Sequence, residues 1–98
     1  VNTLDIPKLE TLKTGETFKI YMVTGQKGME MPLHYSTREA VVIVQEGSAL
    51  LAIDGQEYLL GKGNSFIVPA GINHSLVLKS DFKSLVVMAL DSKIEFVK

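Results

Sequence analysis

Gly63-Asn64-Ser65-Phe66-Ile67-Val68-Pro69-Ala70-Gly71-Ile72-Asn73-His74 is the stretch whose reading decides the fold. A short apolar run, Ser65 to Val68, ends at Pro69-Ala70-Gly71, and proline presets φ for the second position of a tight turn while glycine suits the fourth. The chain therefore reverses and delivers His74 at the head of the next apolar run. This is the sequence of a β-barrel corner with an imidazole aimed inward.

Working outward, strand signals dominate over 17–24, 39–46, 48–53, 56–60, 65–68, 74–79, 84–91 and 93–97, each short and rich in β-branched or aromatic residues. No window carries a helical period. Asp54-Gly55 between two apolar runs predicts a two-residue type I′ hairpin, because both central residues must take positive φ. Short strands separated by turn signals predict an all-β architecture, a small barrel or two-sheet sandwich. Val41-Val42-Ile43-Val44 and Val86-Val87-Met88-Ala89 are apolar at both parities, so one face is expected to fill the interior and the other to pack on a neighbouring segment or a second subunit. Leu4, Ile6, Leu9 and Leu12, spaced among polar residues, read as a cover.

Ninety-eight residues make one domain, 1–98, with enough chain to bury a single core. Hydrophobic residues at 46% and charged residues at 21% place it in the ordinary globular range. A net charge of −1 supplies no field to recruit nucleic acid or an anionic membrane surface, so a small partner is expected. Zero cysteines exclude disulfides and thiol nucleophiles. The longest apolar run, Leu85 to Leu90, is too short for a membrane span, and the opening residues lack the basic-then-apolar layout of a secretion signal. The expected compartment is the cytosol.

Two segments, Gly28 to Gly47 and Gly63 to Leu78, resemble the paired motifs of the cupin superfamily, G(x)5HxH(x)3–4E(x)6G and G(x)5PxG(x)2H(x)3N. In the second, Gly63, Pro69, Gly71 and His74 match, and Leu78 replaces the terminal Asn. In the first, Gly28, His34 and Gly47 match, whereas Ser36 replaces the second His and Ala40 stands at the Glu position. The resemblance implies a small cupin-type β-barrel, a jelly roll. It also implies a site of three imidazoles and one carboxylate around Mn, Fe, Ni or Zn, of which only His34 and His74 remain here. Glu39 lies one residue out of register, and strand alternation puts it on the opposite face from His34, Ser36 and Ala40 unless a bulge turns it inward.

Two retained histidines from separate motifs mark a cavity for a small organic ligand, with an anion or carboxylate expected to suit it. The expected ligand-binding residues are His34, Ser36, Arg38, Tyr58, Phe66, His74 and Met88. The expected metal ligands are His34 and His74, with Glu39 only if bulged. The expected cofactor is none or a weakly bound divalent metal (Zn, Mn, Ni or Fe). If both rings share one cavity, mutual repulsion is expected to lower their titration. Met22, Met29, Met31, Phe18 and Leu76 either line the same cavity or simply fill the core. Three readings stay open: a homodimeric binding module; a metal-dependent enzyme of dioxygenase or isomerase type; and an interaction protein with a solid core, its histidines hydrogen-bonded to backbone or to Tyr58.

Overall fold

Turn chemistry sets the strand boundaries in the computed structural model, which describes residues 6–97. Asp54 at φ 52° and Gly55 at φ 75° form the hairpin turn that the Asp-Gly pair predicts. Among the described residues ten strands follow in order: β1 (Lys8–Thr14), β2 (Phe18–Gly25), β3 (Glu30–Ser36), β4 (Ala40–Glu46), β5 (Ser48–Ile53), β6 (Gln56–Gly61), β7 (Ser65–Val68), β8 (His74–Leu78), β9 (Phe82–Ala89) and β10 (Ile94–Phe96). The eight expected runs are all strands, with ends displaced by two residues at most.

The two further strands are β1 and β3, and each hides its period behind an irregularity. In β1 the register against β2 shifts between Thr11 and Lys13, at Leu12, so Leu9 and Leu12 are not two apart. In β3 the register against β8 shifts between Met31 and His34, at Pro32, which has no N–H to give a ladder. The segment expected as a cover is thus an edge strand, exposed along its length. Leu4 lies outside the described residues.

The strands form two five-stranded antiparallel sheets: sheet I in the order β1-β2-β9-β4-β7 and sheet II in the order β10-β3-β8-β5-β6. Their inner faces meet in an all-β jelly-roll barrel whose core includes Val44, Ala49, Val68, Leu78 and Met88. Gly47 alone separates β4 of sheet I from β5 of sheet II. Its φ is 76°, and an added Cβ would collide with the carbonyl of Asp81, so no other residue fits this joint without strain.

Candidate functional site

A cavity of about 60 Å³ lies between the sheets, and its polar lining comes mainly from one of them, with Ser84 of β9 the single polar side chain supplied by sheet I. Sheet II contributes His34 and Ser36 from β3 and His74 from β8, while sheet I contributes mainly Val23, Ala40, Val86 and Met88. The two histidines owe their meeting to register: His34 and His74 are directly paired across β3 and β8. The shift at Pro32 brings them opposite one another, since without it the partner of His74 would be residue 33. Their ring centroids are 4.2 Å apart at an interplanar angle of 58°.

Each ring is tied back to the chain two residues before it. His34 Nδ1 lies 2.6 Å from the Pro32 carbonyl oxygen and His74 Nδ1 lies 2.9 Å from that of Ile72. A carbonyl only accepts, so Nδ1 is the protonated nitrogen that donates in both rings. Nε2 of each ring then carries the lone pair, and both histidines line the cavity. Burial holds His34 down from 6.5 to about 4, against the Pro32 hydrogen bond and with a smaller push from the neighbouring His74 ring. Burial also lowers His74, against its bond to Ile72. The direction is the expected one, but its main cause is desolvation rather than repulsion between the rings.

Ser36 is buried, and its Oγ has no hydrogen-bond partner, a condition shared by no other sealed side-chain oxygen or nitrogen among the described residues. Ala40, at the place of the family's carboxylate, also lines the cavity and offers it only a methyl group.

The other expected site residues lie elsewhere. Arg38 is on the surface, where its Nη1 donates to both carboxylate oxygens of Asp91 at 2.9 and 3.2 Å. Glu39 is exposed in the connection before β4, and no bulge turns it inward. Tyr58 donates its hydroxyl to Gln56, not to either histidine, and its ring lies 5.0 Å from that of Phe66. These two rings close the seam between β6 and β7, the outermost strands of the two sheets on that side. Met31, Met88 and Leu76 line the cavity; Met29 packs on the core outside it, and Phe18 is exposed.

The sequence reading missed the opposite seam. Leu9 of β1 and Ile94 of β10 reach the cavity from the other two outermost strands, and Phe96 of β10, half exposed, brings its ring within 5.4 Å of His34. Pairing of Phe96 with His34 depends on tertiary register, for which the intervening chain, residues 35–95, carries no local signal.

The donor set does not fit a firmly held divalent cation. Two neutral nitrogens and one hydroxyl supply no anionic charge, and among the described residues no group of three or more His, Cys, Asp or Glu is placed to hold a metal.

Comparison with known proteins agrees with this architecture. A family model for the cupin domain matches residues 21–90. The quercetin 2,3-dioxygenase of Bacillus subtilis is 37% identical over 75 residues, which are 74% of this chain and 22% of that enzyme. Mannose-1-phosphate guanylyltransferase ManC of Salmonella typhimurium is 30% identical over 71 residues, covering 70% of this chain and 15% of that protein. The chain thus spans about a fifth or less of the length of the curated relatives it matches. Among solved structures, the DMSP lyase DddQ of Ruegeria pomeroyi superposes with a TM-score of 0.86 at 20% identity, over 97% of this chain and 53% of that one. A conserved protein of unknown function from Streptococcus pyogenes gives 0.75 at 26% identity, over 100% and 88%. With its two motif segments inside the matched region and its strands in a two-sheet barrel, this chain belongs to the cupin domain family.

Proposed function

We propose that this protein is a small cupin-barrel module that binds a small organic ligand in the cavity marked by His34 and His74, with weak or no metal binding. The observation that carries this reading is the asymmetry of the wall. Two imidazoles with fixed Nδ1–H and a hydroxyl with no partner converge from sheet II on a space whose remaining wall is apolar apart from Ser84 of sheet I. Buried polar atoms without partners are costly, and a ligand that satisfies them recovers that cost on binding. Ser36 and Met88, both lining the cavity, complete the ligand-contacting set.

Dialysis against Zn, Mn, Ni and Fe followed by elemental analysis tests the reading, with less than one ion per chain retained. One tightly held ion per chain would replace it with a metal-dependent enzyme of dioxygenase or isomerase type built on His34 and His74. The similarity to the quercetin dioxygenase favours that second reading.

The module works as a homodimer in the cytosol on this proposal. Cross-strand pairing puts Phe18, Ile20, Met22, Val41, Ile67 and Val87 together on the outer face of sheet I. All are half-buried or exposed, and an apolar sheet face of this kind is a natural interface with a second copy. Among the described residues no helix is long and apolar enough to cross a membrane.

A further inference from the structure

We infer that the ligand of the cavity is an uncharged hydrogen-bond donor, a small molecule or head group carrying an N–H or O–H, and not a carboxylate anion. The inference rests on the ligand-binding reading above and narrows it. Both Nδ1 atoms are committed to backbone carbonyls at 2.6 and 2.9 Å, so in these two cavity-lining rings Nε2 is the unprotonated nitrogen, an acceptor without a proton. Two acceptors whose centroids lie 4.2 Å apart repel an ionised carboxylate, which is itself acceptor-only, and attract N–H or O–H protons.

The hydroxyl of Ser36 completes the pattern. It is sealed from solvent and lacks a partner, and it can accept from the ligand or donate to the ligand's own oxygen. A ligand with a donor at one end and an oxygen at the other, such as a primary amide, would satisfy all three groups. Among the other lining residues Ser84 alone carries a polar side chain, a hydroxyl on the facing sheet, while Val23, Leu51, Leu76, Val86 and Met88 are apolar. In such surroundings each matched hydrogen bond counts for more, and each mismatched pair costs more, than at a wet surface.

Size narrows the choice again. The cavity of about 60 Å³ is smaller than the roughly 150 Å³ apolar void that admits benzene, so the inserted part is limited to a few heavy atoms. A longer body would leave through the seam framed by Leu9 and Ile94, on the side opposite the Tyr58–Phe66 pair.

The test compares acetamide with acetate, which match in shape but differ in charge and in having a donor. At pH 7.5, protein labelled with ¹⁵N-histidine is titrated with each compound while two-bond ¹H–¹⁵N correlations report the ring nitrogens. The expected result is pyridine-type Nε2 in both rings of the free protein, and acetamide shifting both signals with affinity at least about 10-fold above that of acetate. In Ser36→Ala the acetamide affinity falls several-fold while the tautomers stay as they are. Acetate binding as tightly as acetamide would overturn this inference and leave the pocket reading standing. If neither compound shifts the Nε2 signals, both fail together. Pyridine-type Nδ1 in either ring would refute the tautomer assignment without need of a variant.

Discussion

The two sheets share a fold but divide the chemistry between them. Sheet II carries the histidines and Ser36 on its inner face, and its outer face bears Glu30, Tyr35, Glu57, Ser75 and Glu95 among apolar residues. Sheet I is mainly apolar on both sides, with Val42, Val44, Val86 and Met88 inside and Ile20, Val41, Ile67 and Val87 outside. Polar outer residues suit a sheet that ends in water, whereas an apolar outer face needs a cover. On the function proposed above, one sheet would recognise the ligand and the other would meet a second copy.

The most damaging way to break this division is at its joint. Gly47→Ala puts a Cβ against the Asp81 carbonyl at a positive φ between β4 and β5. It should cost about 3 kcal/mol or more and lower the melting temperature by more than about 10 °C. A melting curve within a few degrees of wild type would show that the backbone relaxes there.

Acid probes the polar wall of sheet II. His34 titrates at about 4 in the folded protein against 6.5 when unfolded, so between those values the unfolded chain binds more protons and gains in relative stability. Stability should hold above pH 6.5 and decline as pH falls toward 4, by at most about 3 kcal/mol from this group, with His74 acting in the same direction. Denaturant midpoints measured across that window should flatten in His34→Gln. Equal slopes in variant and wild type would assign the loss to other groups.

Replacing both missing ligands tests whether the wall was once a full site. In Ser36→His/Ala40→Glu, one divalent ion per chain should survive dialysis, with affinity raised by at least about 100-fold over wild type. Calorimetric titration with Zn or Ni reads this directly. Unchanged affinity would mean that the cavity geometry no longer converges on one point.

The outer faces are compared by a matched pair. Val87→Glu on sheet I should halve the light-scattering mass at micromolar concentration, whereas Val77→Glu on sheet II should leave it unchanged. A mass of one chain for the unmodified protein would remove the contrast altogether. The smallest effect belongs to Arg38→Ala, which breaks an exposed pair with Asp91 and should cost less than about 0.5 kcal/mol with no change in ligand affinity.

Much of the fold is written locally. Asp54-Gly55 specifies its hairpin because both residues tolerate positive φ, and Pro69-Ala70-Gly71 turns the chain into His74 for similar reasons. Ser36 and Ala40 both line the cavity as continuous alternation predicts, although Ser36 ends β3, Ala40 begins β4 and Glu39 is exposed in the connection between them. Strands β1 and β3 were harder to see, because Leu12 and Pro32 sit at irregularities that interrupt the alternation.

Tertiary structure decided what depends on distant partners. Arg38 shares the inward parity of His34 but lies past the end of β3, where Asp91 from the far side of the chain captures it. Tyr58 and Phe66 became a plug because their strands are the outer edges of facing sheets. The protonated nitrogen of each histidine was set by a carbonyl two residues back, a contact that exists only once the turn and the bulge have formed. Residue type and alternation determined which side chains enter the barrel; the meeting of the two sheets determined which of them touch, because contact needs a register that no single strand contains.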